Sequence, residues 1–299
     1  MCIRDSIYLY HVGVQRHFVG MATLTVLGIA QDGGRPQPGC QRVCCSNLSA
    51  EDHRSPVSLG IKTANGTKIL IEATRDLGRQ LKLFGESTID RLFLTHAHLG
   101  HVDGLGLFGR ETMSARGIPL HSSQSMQALI TTTPAWALLL EQGVFNLMEI
   151  GRVEIDDIVI ESIEIPHRAE LSDMHAFIIR GNDQAVLFLT DHDSWDQTLT
   201  AHNASSIRAW LKDLDITHAL LDGTFWSGDE LQGRDMSVVP HPTIQDSLSR
   251  LGERQSGDPE IYFTHFNHTN PVYHEGGSEH QKIIQLGWRV STEGQRINL

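Results

Sequence analysis

The chain has 299 residues, 40% of them hydrophobic, enough to bury a substantial core in one large or two small domains. Lys and Arg number 24 against 36 Asp and Glu, a net charge of −12 without any basic run, which excludes a general attraction to nucleic acid. No apolar stretch is long enough to span a bilayer, and His11, Arg16 and His17 interrupt the place where a signal peptide would need its apolar core, so a cytoplasmic location is expected.

The opening Met1-Cys2-Ile3-Arg4-Asp5-Ser6 resembles the translated end of a sequencing-library adapter. Residues 1–20 are therefore expected to form a non-native or disordered leader, and residues 21–299 a single domain. The first strand is predicted at 24–27, followed by a Gly/Pro-rich loop over 31–39 that lacks the Gly-Lys-Ser/Thr ending of a nucleotide phosphate loop. Cys40, Cys44 and Cys45 come next. Clustered thiols in a cytoplasmic chain suggest a structural zinc rather than a disulfide, with a fourth ligand such as His53; buried unliganded thiols are the alternative.

Strands are predicted at 58–63, 68–72 and 91–95, with a helix over 75–84 that puts Leu77, Leu81 and Phe84 on one face. A second strand group is expected at 153–165, 176–180 and 185–190, and later strands at 218–221, 261–264 and 288–290. Helices are expected at 123–130, 205–214, 243–251 and 278–286. Strand-rich halves separated by amphipathic helices predict an α+β fold of two facing sheets with helices outside. The consecutive strand runs between 153 and 190 argue against a doubly wound sheet.

The chemistry concentrates in Thr95-His96-Ala97-His98-Leu99-Gly100-His101-Val102-Asp103-Gly104. His96 and His98 fall at the end of a strand, on the same side by alternation, and His101 sits where the chain turns. Three imidazoles from one short loop suit a catalytic metal with an open position; histidines crowded by chance into a polar loop are the bland alternative.

This segment resembles the H-x-H-x-D-H signature of the metallo-β-lactamase superfamily, with Gly100 at the aspartate position. The resemblance implies an αββα four-layer sandwich of two mixed sheets and two metal positions. It implies a first position at His96, His98 and His167, a bridging Asp191, and a second position with His101 and His265. The missing aspartate puts the two-metal mechanism in doubt, and restoring it by Gly100→Asp is expected to raise occupancy of the second position. Asp103 is a candidate replacement carboxylate or, alternatively, a helix cap.

Further segments, among them Gly28-Ile29-Ala30-Gln31-Asp32-Gly33-Gly34, Asp222-Gly223-Thr224-Phe225-Trp226, Pro240-His241-Pro242 and His265-Phe266-Asn267-His268, are similar to the branch containing pyrroloquinoline-quinone (PQQ) biosynthesis protein B. The resemblance implies a metal-dependent hydrolase of a small ester, lactone or phosphodiester, with Asp191, His241 and His268 as candidate catalytic residues and Asp235 near the pocket. A non-haem iron oxygenase of quinone-cofactor biosynthesis and a non-catalytic carrier of a PQQ precursor are the alternatives. Zinc, as one or two ions, is the expected cofactor, with Fe2+ or Mn2+ as substitutes. A small-molecule substrate is expected, neither nucleic acid nor membrane is, and a homodimer is the assembly considered.

Overall fold

The computed structural model describes residues 20–168, 170–231 and 236–299. The leader up to residue 19 and Asp235 lie outside the described residues.

The first half runs β1 (Thr23–Gly28), α1 (Val43–Ser46), β2 (Ser58–Lys62), β3 (Lys68–Ile71), α2 (Leu77–Phe84), β4 (Arg91–Phe93), α3 (Leu99–Val102), β5 (Ile118–Ser122), α4 (Gln124–Thr132), α5 (Pro134–Glu141) and β6 (Phe145–Glu149). The second half runs β7 (Arg152–Ile155), β8 (Ile158–Ile165), β9 (Met174–Arg180), β10 (Ala185–Leu189), α6 (Trp195–Ala201), α7 (Ile207–Asp213), β11 (His218–Asp222), α8 (Ile244–Leu251), β12 (Glu260–Thr264), α9 (Ser278–Gln285), β13 (Arg289–Val290) and β14 (Arg296–Asn298).

The strands form two seven-stranded sheets, in the orders β14-β1-β2-β3-β4-β5-β6 and β13-β12-β11-β10-β9-β8-β7. Each sheet is mixed: antiparallel from β14 to β3 and from β7 to β10, then parallel from β3 to β6 and from β10 to β13. The parallel strands read as continuous apolar runs, such as Ala-Val-Leu-Phe-Leu in β10 with every residue buried, because both faces of the sheet are covered. Between the sheets the inward side chains share one core, and Phe93 meets Phe177 edge-to-face across it at 5.7 Å between ring centres. A second core joins the outer face of the first sheet to α2, α4 and α5 through Leu70, Leu92, Leu120, Leu81, Ile130 and Leu139. Trp195, Trp210 and Leu248 of α6, α7 and α8 pack into the main core, completing an αββα four-layer sandwich.

The sequence reading differs from the fold at several elements; α1, α6 and β14 were not predicted. The run over 153–165 is a hairpin, β7 and β8, turning at Asp156, whose φ of 53° and bonds from Thr63, Thr67 and Asn65 pin the turn to the first sheet. β5 and β6 were not predicted, since β6 is an edge strand with Phe145 its only fully buried residue and shows no clean alternation. α5 also escaped prediction: its Ala-Trp-Ala-Leu-Leu-Leu run has no polar face to reveal a helical period. Among the described residues, no helix is long and apolar enough to cross a membrane.

Arg208 on α7 clamps the far end of the second sheet, bonding Asp258 and the carbonyls of Leu251 and Glu253. Burial alone would raise the Asp258 pKa, but Arg208 outweighs it and holds the carboxyl below its usual range. Arg208→Ala leaves these acceptors unpaired and is expected to cost about 2–3 kcal/mol in urea unfolding at neutral pH. The part due to Asp258 is present above the carboxyl's ordinary pKa and fades as pH falls through its lowered folded value. An unchanged unfolding midpoint would refute the clamp.

Candidate metal centre

The segments that leave β1, β4, β8, β10, β11 and β12 converge at one end of the sandwich, each delivering polar side chains. Beyond β4 come His96 and His98; His101 follows on α3. His167 lies two residues past β8, Asp191 two past β10, and His265 one past β12. His96, His98, His167 and Asp191 offer ligand atoms that all lie within 4.8 Å of one another. Asp191, His241 and His265 form an overlapping group, as do Asp32, His101 and His265.

Hydrogen bonds on the outer side of the histidines fix which nitrogen faces inward. Thr95 donates its hydroxyl to Glu72 at 2.6 Å, so its oxygen is left to accept from His96 Nδ1 at 2.9 Å. By the same logic Thr224 donates to Asp222 and accepts from His265 Nδ1. His167 Nδ1 donates to Asp193 at 3.1 Å, and His101 Nδ1 faces Glu72 at 3.3 Å. These contacts leave the Nε2 atoms turned to the centre, the arrangement that orients imidazole ligands. His98 is reversed: its Nε2 faces Glu170, and its Nδ1 lies 3.3 Å from His167 Nε2. His96 Nε2, His265 Nε2 and Asp191 Oδ2 are buried without a hydrogen-bond partner in the protein. Buried polar atoms are rarely left so; His96 belongs to one group and His265 to others, Asp191 is shared, and such nitrogen and oxygen donor sets fit divalent cations.

The electrostatics of the bare protein run the same way. Burial raises the Asp191 pKa, but His265, His101, His96 and His167 outweigh it and hold the carboxyl well below its usual range. Burial and the neighbouring His101 keep His96 neutral with a pKa well below the ordinary value. Burial also lowers that of His101, yet Asp191, Glu72 and Asp32 reverse the effect and raise it well above normal. Two positions at the centre take the left-handed backbone that side chains disfavour, His265 at φ 62° and Glu72, the carboxylate behind His101, at φ 70°.

His241 stands beside this cluster, its Nδ1 2.7 Å from Asp222 Oδ2, with both side chains buried. Burial lowers its pKa, but the Asp222 charge and hydrogen bond outweigh that and raise it.

The cysteines gather elsewhere. Cys40, Cys44, Cys45 and His268 form a fourth group, with His268 Nδ1 3.5 Å from Cys44 Sγ and 3.3 Å from Cys45 Sγ. Burial and the adjoining thiols push Cys44 up to about 12. His268, expected at the catalytic centre, is thus turned to the thiols, because the two residues between it and His265 carry it round to α1. His53, the suggested fourth ligand, is exposed and outside the group. Asp103 neither joins the centre nor caps the following turn; it pairs with Arg75 at 2.6 Å. Sequence reasoning missed Glu72, Asp222 and Asp32, although the last stands in the Gly-rich loop singled out after the first strand.

Residues 67–266 match the family described as Beta-lactamase superfamily domain, and the chain belongs to that superfamily. Within it, the chain is similar to coenzyme PQQ synthesis protein B of Ruegeria pomeroyi, 25% identical over 92% of this chain and 99% of that protein. The structure of Zn2+-bound PqqB from Methylobacterium extorquens superposes with a TM-score of 0.73 at 19% identity, covering 93% of this chain and 100% of that one. A diphosphatase from the PhnP family superposes with a TM-score of 0.66 at 22% identity, covering 94% and 98%.

Thr224 holds both His265 and Asp222, so Thr224→Val should weaken metal binding roughly 10–100-fold while sparing the fold. Isothermal titration of the metal-free protein with Zn2+ measures this, and unchanged affinity would show that the hydroxyl does not orient the ligand.

Proposed function

We propose that the chain is a metal-dependent hydrolase of a small ester, lactone or phosphodiester. The observation that carries this reading is the shared carboxylate: Asp191 belongs both to the group with His96, His98 and His167 and to the group with His265 and His241. His96, His98, His167 and Asp191 would hold one divalent ion, and Asp191, His101 and His265 a second. Zinc is the favoured ion; when bound, such an ion acts as a Lewis acid and lowers the pKa of bound water towards 7.

The remaining work falls to the chain's own residues. Asp191, kept ionised by the surrounding imidazoles, accepts hydrogen bonds from the attacking nucleophile and aims it. His241, kept protonated by Asp222, donates a proton to the leaving oxygen. An esterase or phosphodiesterase needs such a donor, whereas an oxygenase has no leaving group for it to serve; this favours hydrolysis over the oxygenase and carrier readings. Cys40, Cys44, Cys45 and His268 match a closed tetrahedral zinc site with a structural role.

Against a panel of lactones and phosphodiesters, His98→Ala and His167→Ala should abolish turnover. His241→Gln should lower kcat roughly 10²–10⁴-fold. A group with a raised pKa stays protonated further up the pH scale and loses its proton as pH rises through that value, so the wild-type profile should fall on the alkaline side. The His241→Gln profile should lack that fall. Oxygen uptake with ferrous iron and no hydrolysis of any substrate would sink the proposal.

Cys45→Ser should release the ion held at the thiols and lower the melting temperature, while metal analysis finds the histidine-held ions retained. A melt unchanged by the substitution would deny that site a structural role.

A further inference from the structure

The glycine at position 100 and the aspartate at position 32 fit each other as two halves of one substitution. Gly100 is buried on α3, directly before His101. A Cβ on Gly100 would lie 2.3 Å from Asp32 Cα and 2.5 Å from both its Cβ and its carboxyl carbon. Real atoms do not approach so closely. The space that a side chain at position 100 would enter is therefore filled by the aspartate of another loop.

That loop is fastened in place. Phe266 donates its backbone N–H to Ile29, and Gln31 donates to Phe266, each at 2.8 Å, so the segment carrying Asp32 is stitched to the segment carrying His265. The Asp32 carboxylate faces both histidines of the second group: Oδ1 lies 3.4 Å from His101 Nε2 and 3.8 Å from His265 Nε2. Asp191 Oδ2 faces the same two nitrogens at 3.4 and 3.7 Å. Each of the two imidazole nitrogens thus faces one oxygen of Asp32 and one of Asp191, and His265 Nε2 and Asp191 Oδ2 have no hydrogen-bond partner in the protein.

We propose that Asp32, delivered by the loop after β1, is the carboxylate ligand of the second metal position, and that Gly100 is glycine because Asp32 occupies its side-chain space. This rests on the metal-centre reading above. An aspartate at position 100 then does not restore the second position, contrary to the sequence expectation; it collides with the ligand already there. The exchange moves the carboxylate from α3 to the loop after β1 while leaving its charge in the same place, so a chain without the motif aspartate keeps a four-ligand set for a second hard or borderline divalent ion.

The test titrates the full-length metal-free protein with Co2+, following ligand-field absorption of the histidine-held ions separately from thiolate charge transfer at the cysteines, with total metal measured after dialysis. Asp32→Ala should lose the second histidine-held ion, its affinity falling by more than ~100-fold, since even outer-sphere partners are worth 10–100-fold. The first ion and the thiolate band should persist. Gly100→Ala keeps every ligand but drives a methyl into Asp32, and should cause the same selective loss. Asp32 is a partly exposed loop residue, so Asp32→Ala carries the test by itself if Gly100→Ala fails to fold, as circular dichroism would show. Wild-type affinity for both histidine-held ions in Asp32→Ala overturns this inference and leaves the hydrolase reading standing. Absence of any histidine-held ion in the wild type overturns both.

Discussion

One buried carboxylate among imidazoles governs this molecule. Asp191 is nearly inaccessible to solvent, and the rings of His96, His101, His167 and His265 all act on it. In isolation each of these groups would be costly to bury, the carboxylate because it loses water and the imidazoles because they repel one another once protonated. Together they lower the cost of burial only if most rings stay neutral and present lone pairs inward. That condition explains the outer layer of Thr95, Glu72, Thr224, Asp222 and Asp193, which holds the protons on the far side of the rings.

The sandwich supplies the positions that this arrangement needs. Within each sheet the parallel strands end at one level, so the residues that follow β4 of the first sheet and β10, β11 and β12 of the second emerge at the same end of the sandwich. The antiparallel strands of each sheet bring in β1 and β8 from the same end. Close packing of six segments there leaves little backbone freedom, and the left-handed Glu72 and His265 show where side-chain placement has overridden backbone preference. Strain of this kind persists only where the surrounding structure over-determines it, and here it falls on a candidate ligand, His265, and on the carboxylate behind His101.

Much of the fold was legible in the sequence because its strands are apolar runs broken by Gly, Pro and Asp, and because the helices that cover them have one apolar face. Two of the elements that escaped lacked those signals: β6 at a sheet edge, and α5 with apolar residues all round. In the centre, the histidines and Asp191 stand at strand ends, where sequence and geometry coincide. Asp32, Glu72 and Asp222 depend on contacts between segments far apart in the chain, which no local pattern encodes. His268 misled for a related reason: proximity to His265 in sequence says nothing of which way two intervening residues turn the chain.

The chain order of the converging groups also sets when the centre can exist. Asp32 follows β1, whereas His265 and His268 follow β12, near the opposite end of the sequence. While the chain is being made, the thiols and the first histidines emerge well before the partners that close their groups around an ion. Contacts of such long sequence separation form late, since the loop between them must be ordered first. The thiol group and the groups that contain His265 are therefore completed only after synthesis has passed β12, whereas His96, His98, His167 and Asp191 are all present once synthesis has passed β10, so the first metal position can form in the growing chain while the others wait for the segment after β12.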